Sequence, residues 1–154
     1  MYHSITFRTY ETTPRSFNTF DDYSLVPKTR PLLAPPTLKE EKVSIPGRGD
    51  GPLDYTGVLN GFRFDDRSGS WEFYVLNNYP MNNVAQGAGT DDGAWLTRYS
   101  RILTELHGKE LKVILEDDPT HYYDAYIEVG NWQTGKDYST ITISYRAKPR
   151  RQSL

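Results

Sequence analysis

Residues 115–124, LEDDPTHYYD, hold the densest chemistry in the chain. Glu116, Asp117 and Asp118 stand in a row, and His121 and Asp124 follow closely. Carboxylates and an imidazole at this density are the raw material of a metal site or an acid–base pair. A carboxylate metal site needs several oxygens converging on one ion at about 2.3–2.6 Å. On an extended strand Glu116 and Asp118 share a face and Asp117 points away. The EF-hand pattern of alternating acids, a central glycine and a terminal glutamate is absent. His121 has no second histidine at helical spacing, because His3 and His107 lie far off in sequence. A general acid–base pair needs two carboxylates facing a substrate across a cleft, which a turn tip seldom provides. Asp118-Pro119 is a turn starter, and charged tips keep hairpins soluble. The stretch therefore reads as an acidic turn between two strands.

The other candidate motifs are no stronger. Arg48-Gly49-Asp50 matches a cell-adhesion tripeptide, yet three residues recur by chance and flanking glycines suit a turn equally well. Those glycines precede no clear helix, which argues against a phosphate-cradling loop. No G-x-S-x-G elbow is present. With no cysteine in the chain, disulfides, zinc ribbons and thiol nucleophiles are excluded. The expectation is a protein with no catalytic residues, no metal ligands and no cofactor. The formal charge of −2 argues against nucleic acid as the main partner, although KPRRQSL at 148–154 is a local basic patch, read here as a solvated tail. Trp71, Trp132, Tyr122 and Tyr126 keep one alternative open, a carbohydrate- or receptor-binding β-sandwich module that stacks sugars on exposed rings.

The elements that position these residues are mostly strands. Tyr is abundant at 12, and aromatics reach 14% of the 154 residues, a composition suited to half-buried pleated surfaces. The length suits one domain, 1–154. No stretch approaches about 18 consecutive apolar residues, and no signal peptide is visible, so synthesis and folding in a cytoplasm are expected. SITFRTY at 4–10 reads as a first, edge strand with Ile5, Phe7 and Thr9 on one side, and ETTPRSFNTFDD as turn-rich. A short extended piece ends at Pro27. The proline-rich segment 28–37 reads as an extended connector, and Leu32 and Leu33 make it apolar enough to pack along the body. LKEEKVSI reads as a strand and PGRGDGP as a turn. FRFDDRSGSWEFYVLN predicts a hairpin, with Phe62 and Phe64 on one arm, Trp71, Phe73 and Val75 on the other, and DDRSG as the turn. Residues 77–93 read as a polar loop.

One amphipathic helix is expected at about 94–107. Trp95, Tyr99, Ile102 and Leu106 recur at helical spacing, with Leu96 and Leu103 beside them. Asp91 or Asp92 suits its N-terminus and Gly108 the position past its end. Leu111, Val113 and Leu115 alternate before the acidic turn, and Tyr123, Ala125, Ile127 and Val129 after it. GNWQTGKD turns again, and YSTITISYRA is the last strand. About six to eight strands and one helix give a mainly β fold with long hairpins.

Laid out in order, these segments resemble the short distal tail proteins of long-tailed phages and prophages. FDDYSLVP at 20–27 resembles the family's opening. The segment 30–56 carries Pro31, Pro35-Pro36, Ile45-Pro46-Gly47, Asp50-Gly51 and Leu53-Asp54-Tyr55-Thr56. LNG at 59–61 and RSGSWEFYV at 67–75 follow, then Leu106-His107-Gly108-Lys109, Glu116-Asp117-Asp118-Pro119 and Tyr122-Tyr123, and finally WQTGKDYSTITISY at 132–145. The chain departs from the family at Ala125-Tyr126, where Gly-Arg is usual, and at Pro149-Arg150-Arg151, where Pro-Tyr-Lys is usual. The resemblance implies a β-sandwich or barrel-like body with a flanking helix, related to tail-tube subunits, and without the C-terminal carbohydrate-binding-like domain of longer members. It implies a homohexameric ring in the virion, at the distal end of a tail assembled in the host bacterial cytoplasm. That ring joins the tail tube protein to the tail-tip hub, with the tape-measure protein and DNA passing through its channel without sequence-specific binding, and with no membrane partner. In such a protein Glu116, Asp117, Asp118 and His121 become a candidate subunit-contact or channel-rim turn, with a neighbouring subunit's basic residue expected beside Asp117 and Asp118.

Overall fold

The computed structural model describes residues 3–38, 42–43, 53–54, 64–76, 94–134 and 138–154, with the backbone alone at 42–43, 53–54, 76, 94–95 and 134. In chain order the elements are β1 Ile5–Arg8, β2 Ser16–Asn18, β3 Leu25–Pro27, β4 Lys42–Val43, β5 Leu53–Asp54, β6 Arg67–Leu76, α1 Ala94–Leu106, β7 Lys109–Leu115, β8 His121–Thr134, β9 Tyr138–Ala147 and β10 Gln152–Ser153. The fold is mainly β, as expected. Eight strands form one antiparallel sheet in the order β2-β1-β7-β8-β9-β6-β3, with β10 added on β8, while β4 and β5 pair separately. Among the described residues no helix is long and apolar enough to cross a membrane.

Alternation dictates which face is inside. Leu111 and Val113 on β7, Ala125 and Ile127 on β8, and Ile141, Ile143 and Ala147 on β9 are all buried, in step with the two-residue period of a strand. They join one core cluster with Ile5, Phe7, Leu25, Trp71 and Phe73. That cluster requires the sheet to curl. Four strand steps separate β1 from β6, a distance of about 19 Å on a flat sheet at about 4.8 Å per step. The rings of Phe7 and Trp71 nevertheless lie 6.3 Å apart. At the sheet's two ends the Leu25 amide donates to the Thr19 carbonyl at 2.8 Å, tying β3 to the residue after β2. The body is thus barrel-like, formed by one curled sheet.

The helix matches its expected span. Ile102 and Leu106 enter the core, while Tyr99 and Leu103 pack against it and Leu96 faces solvent. Gly108 follows with φ +71, the left-handed conformation that ends helices, and its amide donates to the Ile127 carbonyl. The apolar stripe concealed one exception: Arg98 is fully buried, and burial pushes its guanidinium down to about 10. It therefore stays charged at neutral pH. Two turns further along the helix, on nearly the same face, Glu105 accepts from Arg101 at 2.6 Å and from the Tyr23 hydroxyl at 3.2 Å.

Several strand expectations need correction. β1 is not an edge, because it lies between β2 and β7. The turn-rich stretch contains β2, whose Phe17 reaches the core. No hairpin closes at 65–69. Ser68 and Gly69 already belong to β6 and pair with Arg146 and Tyr145, while Phe64 bridges to Leu38. GNWQT is not a turn; β8 continues through it with a register shift between Val129 and Trp132. Phe62, the turn at 46–52, the Arg48-Gly49-Asp50 tripeptide, the loop 77–93 with Asp91 and Asp92, and the side chain of Trp95 fall outside the described residues.

Gly69 is glycine because a side chain there has no room. A Cβ would stand 2.6 Å from the Tyr145 hydroxyl. That ring stacks on Trp71 at 4.3 Å, and its hydroxyl accepts from the Ala34 amide at 2.6 Å. Trp71 Nε1 donates to the Leu32 carbonyl at 3.0 Å. The connector 28–37 is thereby strapped to the body with Leu33 buried, as its apolar content suggested, although Leu32 is exposed. Gly69→Ala is expected to lower stability by about 1–3 kcal/mol through overpacking. Ser68→Ala, next to it and exposed, is expected to stay within about 0.5 kcal/mol. Urea unfolding of the two variants checks this contrast.

Tyr23 generates a pH prediction. Burial foremost, and then the charge of Glu105, raise its phenol above the ordinary value of 10.0. The folded state keeps a proton that the unfolded chain releases, so this stabilisation is complete below about pH 10 and is lost as pH rises beyond it. Tyr23→Phe is expected to cost about 1–2 kcal/mol at neutral pH through the lost hydrogen bond. It is also expected to flatten the alkaline fall of the urea midpoint relative to the parent chain.

Candidate assembly surface

The acidic turn forms where it was expected. It joins β7 to β8, and the Asp118 amide donates to the Leu115 carbonyl at 3.0 Å. Its acids do not hang free at the tip. Glu116 Oε2 accepts from the Ser4 amide at 2.7 Å and the Ser4 hydroxyl at 3.1 Å, at the entrance to β1. Asp117 meets His3 at 3.0 Å and Arg30 of the strap at 3.5 Å. Asp118 meets His121 at 3.2 Å and accepts from Arg151, just before β10, at 2.9 Å. Asp124 is buried on the outer side of β8, where one oxygen accepts from the Gln152 side chain at 2.9 Å. The turn therefore gathers the entrance to β1, the strap and the segment 151–154 onto one hairpin. The basic patch at 148–154 is correspondingly not a solvated tail, since β10 pairs with β8 through Gln152↔Tyr122 and Ser153↔His121.

Sequence reasoning missed these partners. Ser4 and Glu116 are separated by 112 positions, and nothing local links them. The opposite signs of the acidic turn and the basic patch were the one available signal, and they do not choose among Lys148, Arg150 and Arg151.

The outer face of the sheet is lined with tyrosines and cations, from Tyr122 beside the turn to Tyr74 and Tyr138 at the far end of β8 and β9. Lys112 lies over the rings of Tyr122 and Tyr10, at 4.8 and 5.4 Å. Arg146 lies over Tyr126 at 5.0 Å and Lys28 over Tyr74 at 5.1 Å. Tyr10, Tyr126 and Tyr138 are each about half exposed. Between Tyr126, Glu128, Ser144 and Arg146 runs an open groove of about 300 Å³. Exposed Tyr and Arg are the residues that dominate protein–protein contacts, because they offer large rigid area with polar edges. The four rings considered for sugar stacking do not form one exposed platform. Trp71 is core, Trp132 packs on Tyr99, and Tyr122 is tied to Gln152 at 2.9 Å, which leaves Tyr126 as the exposed ring. Among the described residues no group of three or more His, Cys, Asp or Glu is arranged to hold a metal ion.

No protein-family model matches the chain, and no curated protein sequence matches it. Among solved structures it is similar to the crystal structure of SPP1 Dit (gp 19.1), described as a paradigm of the hub adsorption apparatus in Gram-positive infecting phages. The TM-score is 0.62 at 13% identity, covering 98% of this chain and 52% of that one. The two share a fold, and this chain spans about half the length of that protein.

The two kinds of acid–partner contact in this chain predict different costs. Glu116→Ala leaves Ser4 without its acceptor and is expected to destabilise by about 1–3 kcal/mol. Glu11, exposed and paired with Arg15 at 2.8 Å, is expected to be replaceable by Ala without measurable loss. Denaturant midpoints of both variants check this.

Proposed function

We propose that this chain is a structural subunit of a phage tail tip. In this reading six copies form a ring at the distal end of the tail, located in the virion after assembly in the host bacterial cytoplasm. The ring joins the tail tube to the tip hub or baseplate, and the tape-measure protein and DNA pass through its channel. It carries no catalytic step. The observation that carries the reading is the fold shared with a phage hub protein across 98% of the chain. The ordered segment signatures from Phe20 to Tyr145 and the Tyr- and Arg-lined outer face support it.

Within the ring, the turn of Glu116, Asp117, Asp118 and His121 is assigned to a subunit contact or to the channel rim. Its carboxylates already have partners inside the subunit, so a neighbour's base either shares or replaces Arg30 or Arg151 there.

Electron microscopy of purified particles carrying an affinity-labelled copy of the chain tests the proposal. The expected image places label and a six-fold ring at the distal end of the tail. Particles without the label, or label along the tube or on the head, would overturn it.

A further inference from the structure

We propose that the start of β8 is a strand-addition site that segment 151–154 fills within its own subunit when alone. In the assembled particle the same segment of a neighbouring copy fills it. The inference rests on the tail-tip reading only for the identity of that particle.

The site is complete over a few residues. Arg151 reaches Asp118, Gln152 bridges Asp124 and the Tyr122 hydroxyl, and the Leu154 amide donates to the Thr120 carbonyl at 3.0 Å. Every receiving group lies between 118 and 124, so the site reads the segment wherever it comes from. The segment itself contributes nothing to the core, and Leu154 is half exposed. Its withdrawal leaves the curled sheet intact.

The link to β9 is short: the Lys148 amide donates to the Asp124 carbonyl at 2.9 Å and the Pro149 carbonyl accepts from Arg67 at 3.0 Å, but it makes no continuous strand pairing. Ala147 opposes Ala125, but Gln152 opposes Tyr122, so two extra residues are looped out between them. Pro149 stands in that link and has no amide to offer a ladder. Short constrained hinges of this kind favour exchange of an element between copies. The fit inside one subunit is also imperfect: Oδ1 of the buried Asp124 has no hydrogen-bond donor among the described residues. A segment free of the tight link can seat its donors against that oxygen. The occupant is a second copy because the recognition is written in this chain: a cation for Asp118, an amide for Asp124 and Tyr122, and a matching register. Arg151 of the neighbouring copy then supplies the base expected beside Asp118.

The chain has no cysteine, which makes the test clean. The 154–120 pair is hydrogen-bonded, so 153 and 121 form a non-hydrogen-bonded pair whose close Cα atoms suit a disulfide. The double variant His121→Cys, Ser153→Cys is oxidised as concentrated protein and as assembled particles, then denatured and run without reductant. The expected result is a shift from single-subunit bands to dimers and higher species that collapse on reduction. Fully oxidised single-subunit bands in both samples overturn the proposal. Rings with bonds confined within subunits overturn the exchange and leave the tail-tip reading standing; bonds between subunits without rings do the reverse. A second measurement avoids cysteine. Asp118→Arg and Arg151→Glu are each expected to assemble poorly alone and to recover assembly when mixed, because each supplies what the other's site lacks. No recovery on mixing, with both variants folded, overturns the exchange.

Discussion

The approach of Phe7 to Trp71 at 6.3 Å joins strands four places apart, and the body cannot be built without it. It turns one side of a long antiparallel sheet into an enclosed interior. Ile5, Leu111, Ile127 and Ile143 lose water together because the sheet curls, and would face solvent on a flat one. The same curl brings Trp71 and Tyr145 under the strap. It also brings Tyr23 to Glu105, so that the helix and the turn before β3 close on each other.

The acidic turn has a second kind of importance. Its three consecutive carboxylates point to three different parts of the chain: the entrance to β1, the strap and the segment before β10. Each contact is modest, and His3–Asp117 and Arg30–Asp117 are partly exposed. Their arrangement matters more than their sum, because one hairpin fixes segments that are distant in sequence and lie outside the core.

Much of this was legible in the sequence. Val113, Ile127 and Ile143 alternate as buried strands must, and the 4, 3, 4 spacing from Trp95 to Leu106 places the helix. Gly108 marks its end, and Asp118-Pro119 marks the turn. What failed had a physical cause each time. β2 and β10 have three and two residues, too few for a period to show. Ser68-Gly69 looked like a turn because glycine is common in turns, whereas here it makes room for the Tyr145 ring. Arg98 lies on the apolar stripe, and periodicity assigns such a position to the core without saying how a cation is accommodated there. The partners of Glu116, Asp117 and Asp118 depended on which strand ends meet, and only the topology of the whole sheet decides that.

The strap has a further consequence. Pro31, Pro35 and Pro36 remove three amides from a segment that lies beside β6. Its two ends join the backbone, the Lys28 amide donating to the Glu72 carbonyl and the Thr37 carbonyl accepting from Asp65, and between them an indole, a phenol and the Arg67 guanidinium, which approaches the Ala34 carbonyl at 3.5 Å, hold it in place of a regular ladder. A margin covered in this way is a poor template for stray chains, since there is little continuous backbone pattern for a foreign strand to extend. That margin is thereby protected from indiscriminate fibre growth, because extension by a foreign strand needs a backbone ladder it does not offer.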